Sequence, residues 1–345
     1  MLADRTLQLV DVPSESGSEA GLAALVRELV PLECRFASGE TLLYSTGRSG
    51  KPVLLLAGHL DTVPAQGNRP GRIEDGAVHG LGAADMKGGV AVMVELARWI
   101  GLERPELAVD VDFCFFPLEE VDVALSPLPE LFATGLVDDA GLVVVLEPTD
   151  NQIHAGCLGN LNALLRFHGE SAHSARPWTG TNAIRLAVEG LADLVRLEPR
   201  DVRVDGLVFR EVLSVTRLEG GIAANVIPAE AVATLNFRYA PGRTREDAEA
   251  RLRELVGGAG ELEIVSNAPA ASVSLEQPLL ARLIELGGLE VAPKQAWTPV
   301  AQFSERGLVA VNFGPGAPRY AHRRDECVTI DALNRTFDAL RRLVM

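Results

Sequence analysis

Four short stretches gather acids and an imidazole where a chain could put them to use: His59-Leu60-Asp61, Asp85, Glu119-Glu120 and Glu147. A neutral imidazole is a common ligand of first-row metals, and a carboxylate two residues on can accept its second N–H and so fix tautomer and ring direction. Neighbouring carboxylates such as Glu119 and Glu120 repel unless one binds a cation and the other holds a proton. Taken singly, each stretch has an ordinary explanation. His-x-Asp is frequent at strand ends, Asp85 suits the N-cap of a following helix, and Glu-Glu pairs are common on surfaces.

The elements that must position them give the set its meaning. Leu54–Pro64 (LLLAGHLDTVP) is an apolar run that delivers His59 and Asp61 at its end, pointing the same way by strand alternation. Ala108–Pro117 (AVDVDFCFFP) alternates and then runs apolar, a strand that ends at Glu119-Glu120, and Gly141–Leu146 (GLVVVL) is a buried strand that ends at Glu147. Asp85 lies in a loop, Gly80–Gly89, that precedes an apolar helix from about Val90 to Ile100. Uninterrupted apolar strands joined by helices indicate a parallel α/β sheet buried on both faces, and ligands bind at the carboxyl edge of such a sheet. All four stretches then share one edge, and so many acids there are unstable without cations. A dinucleotide fingerprint at Gly80 and Gly82 is set aside, because the third glycine is missing and no strand directly precedes it.

The remainder frames this edge. Helical spacing covers Leu2–Val12 and Gly21–Val30, and Arg35–Ser45 suggests a strand pair. After Gly156 the texture changes. Strands at Leu161–His168, Leu213–Leu218, Ala231–Tyr239 and Glu261–Val265, with helices near Asn182–Arg196 and Arg245–Val256, suggest an inserted ferredoxin-like α+β domain. Asn267–Ser274 is the return link, Gln277–Leu286 a helix, Leu308–Phe313 a buried strand leading into Gly314, and Ile330–Val344 a closing helix. His322 lies in a loop between the last two.

The chain has 345 residues, 47% hydrophobic, enough for two domains. A net charge of −15 argues against nucleic acid or an anionic membrane as partner. Cys34, Cys114, Cys157 and Cys327 have no paired spacing, so neither a disulfide framework nor a thiolate zinc site is indicated. Met1–Val30 carries acids throughout and no apolar signal core, and no stretch approaches bilayer-spanning length; a cytoplasmic protein is expected.

His59-x-Asp61, Asp85-Met86-Lys87-Gly88-Gly89, Glu119-Glu120, Glu147-Pro148-Thr149, Ala172-His173-Ser174-Ala175 and Ala321-His322 occur in that order. Over nearly its whole length the chain resembles the co-catalytic zinc aminoacylase/carboxypeptidase family, the acetylornithine deacetylase, carboxypeptidase G and succinyl-diaminopimelate desuccinylase group. Gly156-Cys157-Leu158-Gly159, His173–Ile184, Gly220–Pro228 and Gly314–Arg324 are most similar to its desuccinylase branch, in the actinobacterial form. The resemblance implies a doubly wound mixed sheet of zinc-peptidase type with an inserted ferredoxin-like α+β dimerisation domain. It places the catalytic domain at 1–158 and 268–345 and the inserted dimerisation or lid domain at 159–267. It implies two Zn²⁺ per chain, with Co²⁺ or Mn²⁺ as substitutes: His59 and Glu147 on one ion, Glu120 and His322 on the other, and Asp85 bridging. Asp61 orients His59, and Glu119 is general base and acid toward a zinc-activated water. His173 stabilises the tetrahedral oxyanion in the partner subunit's site, which implies a homodimer through the inserted domain. Asn225, Arg238, Thr298 and Gly314 are implied to hold a small N-acylated amino acid. His79, His154 and His168 match no ligand position.

The implied reaction is hydrolysis of the amide of N-succinyl-LL-2,6-diaminopimelate, with N-acetyl-ornithine or N-acetyl-lysine deacetylation, dipeptide hydrolysis and, more distantly, a non-catalytic binding role as alternatives. Two positions depart from the desuccinylase pattern. Pro299 and Gln302 stand where that pattern has Asp and a carboxylate-binding Arg, and a lost guanidinium fork is worth about 1.5–3 kcal/mol per charged hydrogen bond. Val121-Asp122-Val123 replaces a glycine-containing turn after Glu120.

Overall fold

A computed structural model describes residues 1–345, and the chain divides into two compact units, Met1–Ala155 with Ser274–Ala292 and Gln302–Met345, and Gly156–Val273 with Pro293–Ala301. The expected boundaries at 158/159 and 267/268 lie a few residues away, and the return of Pro293–Ala301 to the second unit has no counterpart in the sequence reading.

The first unit is built on an eight-stranded mixed sheet in the order Glu33–Ser38, Thr41–Ser45, Asp110–Phe116, Val53–His59, Ala140–Val145, Ala310–Asn312, Ile153–Ala155, Val291–Pro293. Its four central strands run parallel. Every residue of Val53–His59 and Asp110–Phe116 is buried; the first is a continuous apolar run, while in the second Asp110 and Asp112 are buried against Ser49 and Arg48. The crossover between these two strands is the helix Gly88–Glu103, two residues longer at its start than expected, whose first ten residues are all buried, Glu95 among them paired with Arg5. A Cβ at Gly89 would meet the Leu146 carbonyl oxygen at 2.3 Å, so the helix reaches the strand that carries Glu147 only through a residue with no side chain. The closing helix Ile330–Val344 is capped by Thr329, whose hydroxyl accepts from Ala332 N–H at 3.2 Å, and buries Leu333, Phe337, Leu340 and Leu343.

The second unit is an antiparallel sheet in the order Arg200–Val204, Leu207–Gly220, Glu230–Tyr239, Gly159–His168, Glu261–Ala268. Gly159–His168 alternates buried and half-buried positions, and its buried residues Leu161, Ala163, Leu165 and Phe167 meet Ala183, Ala187 and Leu191 of one helix and Ala248, Leu252 and Val256 of the other. The expected helix over Asn182–Arg196 is shorter, Ala183–Leu191 capped by Asn182, followed by a single 3₁₀ turn. The expected strand Leu213–Leu218 is one part of the longer Leu207–Gly220, which forms a hairpin with the unforeseen Arg200–Val204. Asp205 and Gly206, at φ 47° and 81°, make the two-residue turn between them. No helix in the chain is long and apolar enough to cross a membrane.

Candidate metal centre

Parallel pairing brings the acids together. His59 ends its strand opposite Phe116, and Ala57 pairs with Val145, so His59, the Glu119-Glu120 loop and Glu147 leave three adjacent strands at the same edge. Asp85 reaches that edge from the loop before the Gly88–Glu103 helix. Its carboxylate does not cap the helix, whose N-cap is Lys87; Asp85 Oδ1 lies 3.2 Å from His59 Nε2 instead. His322 arrives from a loop with backbone in the left-handed region (φ 61°), unusual for a residue with a Cβ. Gln66 Nε2 donates to the His322 carbonyl at 3.0 Å and Asn68 Nδ2 to that of Arg323 at 3.3 Å, and these bonds hold the loop in that shape.

The donor atoms sort into overlapping groups, each within 4.8 Å: His59, Asp85 and Glu147 in one, Asp85, Glu120 and His322 in another, His59, Glu119 and Glu120 in a third. The first two share Asp85. His59 Nε2 is 3.8 Å from Glu147 Oε1, while His322 Nε2 is 2.9 Å from Glu120 Oε1 and 3.5 Å from Asp85 Oδ2. Two donors about 2.0–2.1 Å from a tetrahedral ion stand roughly 3.3 Å apart, so these separations are those of side chains converging on a common cation. Imidazole nitrogens and carboxylate oxygens with no thiolate are a donor set suited to zinc and similar borderline ions.

Proton equilibria show the same excess of negative charge. Burial opposes charging His59, yet Asp61 and Asp85 outweigh it and hold the imidazole well above its ordinary range. Asp85 and Glu120 push His322 up to about 10. Burial, and after it the Glu147 carboxylate, pushes Glu119 well above the usual carboxylate range. The chain therefore draws protons onto groups where a divalent cation would neutralise the same charge.

Asp61 is fully buried beneath the cluster. The nearer partner of His59 Nδ1 is the Asp61 carbonyl at 3.1 Å, with the carboxylate at 3.5 Å. That carboxylate is spent chiefly on others. Oδ1 accepts from Glu119 N–H at 3.0 Å, and Oδ2 from Glu120 N–H at 2.9 Å and Ser16 Oγ at 2.8 Å. Burial works to raise its pKa, but His59 and the two N–H groups prevail and hold it down at about 2. Ser16 escaped the sequence reading, as did Glu326, a buried acid whose carboxylate accepts from the N–H groups of Gly82, Ala84 and Asp85.

Asp122, flagged as a departure, caps the turn Val123–Leu125 by accepting from Ala124 N–H at 2.9 Å. Gln302 exchanges hydrogen bonds with Ser126 Oγ at 3.0 and 3.2 Å. Gly314 passes so close to the Glu147 strand that a Cβ would lie 2.4 Å from the Leu146 and Glu147 carbonyl oxygens, and its own N–H and C=O are taken by Thr149 Oγ1.

In the second unit, His173 and Asn225 come together: His173 pairs with Val226 across a two-residue ladder, and Ser174 N–H donates to the Asn225 carbonyl at 3.0 Å. His173 is exposed and its Nδ1 accepts from Ala175 N–H at 3.0 Å, which leaves the proton on Nε2 as an outward donor. Arg238, half-buried, donates Nε to Asn236 Oδ1 at 3.0 Å and meets no carboxylate of the chain; burial lowers its pKa. Thr298 is buried, and its hydroxyl has no hydrogen-bond partner.

A profile of the peptidase family M20/M25/M40 matches residues 55–345. A Mycobacterium tuberculosis protein carrying a provisional succinyl-diaminopimelate desuccinylase name is 39% identical over 98% of this chain and 96% of its own. The succinyl-diaminopimelate desuccinylase of Corynebacterium glutamicum is 36% identical over 95% and 92%. Among solved structures, a Staphylococcus aureus tripeptidase superposes with a TM-score of 0.83 at 20% identity, covering 99% of this chain and 96% of that one.

Proposed function

The chain belongs to the peptidase family M20/M25/M40, a family of metal-dependent hydrolases, and from that footing we propose that it is a dizinc amidohydrolase releasing the acyl group of an N-acylated amino acid, foremost N-succinyl-LL-2,6-diaminopimelate. The observation that carries this reading is the pair of donor groups sharing Asp85, with Glu119 beside both. His59 and Glu147 would hold one ion, Glu120 and His322 the other, and Asp85 would serve both. When bound, two divalent ions lower the pKa of a shared water and polarise an amide carbonyl.

Glu119 would take the proton released as water attacks and return it to the departing amine, a role open to a carboxylate that stands beside both donor groups. Asp61 holds the main chain of Glu119 and Glu120 so that base and ligand keep their places. His173 supplies its Nε2–H to the oxyanion in a partner subunit's site. Arg238 is a desolvated guanidinium lacking a carboxylate partner, the right group for a substrate carboxylate, with Asn225 and Thr298 binding neighbouring polar atoms. Gly314 contributes the close passage of its backbone beside Glu147.

A homodimer through the inserted unit is supported by its surface. Trp178, Ile184, Val188, Leu218 and Ile222 are exposed, and Ile184 lies against Gly220 at the end of the long strand. From Val212 to Gly220 that strand also has one edge unpaired, since Arg200–Val204 covers only Leu207–Glu211. A cytoplasmic location belongs to the same reading.

One observation favours a second substrate class. Gln302 offers no charge and its amide is engaged by Ser126, which suits N-acetyl-ornithine or N-acetyl-lysine, with two carboxylates fewer than the succinylated substrate. Zinc-loaded protein offered N-succinyl-diaminopimelate, N-acetyl-ornithine, N-acetyl-lysine and dipeptides in competition decides between them. Preferential loss of the succinylated substrate supports the first reading, preference for an acetylated one selects the second, and hydrolysis of none refutes the enzyme.

A further inference from the structure

The proposed centre requires Asp85 to face two donor groups at once, from a turn that is closed locally by Ala83 N–H on the Gly80 carbonyl and Lys87 N–H on the Gly82 carbonyl. Asp85 has extended backbone angles (φ −124°, ψ 96°) inside a tight turn, so its N–H has no helical acceptor. Glu326 supplies one. Its side chain is 2% exposed, and its two oxygens accept three main-chain N–H groups of this turn: Oε2 from Gly82 at 2.9 Å, Oε1 from Ala84 at 3.0 Å and from Asp85 at 2.9 Å. Its own carbonyl accepts from Gly80 N–H at 3.1 Å, and the next residue, Cys327, pairs with His79. The same loop carries His322, whose Nε2 is 3.5 Å from Asp85 Oδ2.

The geometry points to Glu326 as a positioning residue for the metal centre: it locks the Asp85 turn to the His322 loop, and so sets the separation of a bridging carboxylate from a terminal imidazole. This rests on the two-metal reading of the site. A buried carboxylate is costly unless its lone pairs are filled, and here three converging N–H groups fill them. An amide of the same shape cannot do so. In Glu326→Gln the new NH₂ confronts either Gly82 N–H or the Ala84 and Asp85 pair, so the turn must shift at one of those points. Asp85 moves with it, and a site bridging two ions tolerates displacements of only about 0.5 Å.

The test is zinc affinity by chelator competition, measured beside the thermal midpoint of the metal-free protein, for the parent, Glu326→Gln and Glu326→Asp. The parent must bind two zinc ions; if it does not, the two-metal reading fails, whatever the variants do. With the parent binding two, Glu326→Gln is expected to weaken zinc binding about 10- to 100-fold, with kcat reduced and KM within about twofold, alongside a lowered metal-free midpoint from the unpaired N–H of the turn. Glu326→Asp, which keeps the anion but is shorter, is expected to fall between, and it decides the matter alone if Glu326→Gln does not fold. Folded variants that bind zinc as tightly as the parent, or that lose only metal-free stability, overturn the assignment.

Discussion

Replacing Asp61 by asparagine separates the scaffold of this centre from its ligands, because Asp61 is buried beneath the donors. Its two oxygens serve Glu119 N–H at 3.0 Å, Glu120 N–H at 2.9 Å and Ser16 Oγ at 2.8 Å. Whichever way the introduced amide turns, its NH₂ meets one of the two backbone N–H groups, while the Ser16 hydroxyl can rotate to accept. One buried donor is thus left without a partner, at about 1–3 kcal/mol, and the surviving bonds lose charge assistance worth roughly 1 kcal/mol each. Metal-free Asp61→Asn is therefore expected to be less stable by about 2–5 kcal/mol in urea unfolding. Displacement of the Glu119 and Glu120 main chain should carry into the reaction, and about 1.4–2.7 kcal/mol of lost positioning corresponds to a 10- to 100-fold fall in kcat/KM. A variant within about 0.5 kcal/mol of the parent, with kcat/KM within about twofold, would refute the idea that Asp61 organises the acid pair.

Glu119→Gln is expected to retain zinc and lose about 10²–10⁴ in kcat, and an undiminished kcat in the metal-loaded variant removes Glu119 from proton transfer. Chelation should abolish amide hydrolysis reversibly and lower the thermal midpoint, since zinc at 100 times its Kd stabilises a site by about 2.7 kcal/mol; a midpoint indifferent to zinc contradicts relief of charge among Asp85, Glu120 and Glu147. Val188→Glu places a charge on the exposed helix face of the inserted unit. Light scattering should report a monomer, with activity reduced at least about tenfold if His173 completes a partner's site; a dimer of full activity speaks against that face.

Much of the centre was legible because each acid follows an element with a strong pattern of its own. His59, Glu119-Glu120 and Glu147 stand out where the apolar runs stop, and parallel pairing then fixes them at one edge. Asp85 had two readings, cap or ligand, and the N-cap at Lys87 decides against the first. Glu326 was illegible for a physical reason. Its partners are main-chain N–H groups 241–244 residues earlier, and a bond to backbone leaves no mark in the identity of the residue that donates it. The hairpin Arg200–Glu211 did carry a signal in Asp205-Gly206, but Arg200–Val204 is only five residues long and three of them are charged, which dilutes the alternation of Val202 and Val204. The grouping of Pro293–Ala301 with the second unit depends on contacts that no local propensity encodes.

Crystals grown with zinc and measured at its absorption edge test the centre most directly. Two anomalous peaks roughly 3.5–4 Å apart are expected, one within about 2.0–2.2 Å of His59 and Glu147, the other of Glu120 and His322, with Asp85 reaching both. A single peak, or peaks away from Asp85, would contradict the paired-ion centre and the amide hydrolysis derived from it.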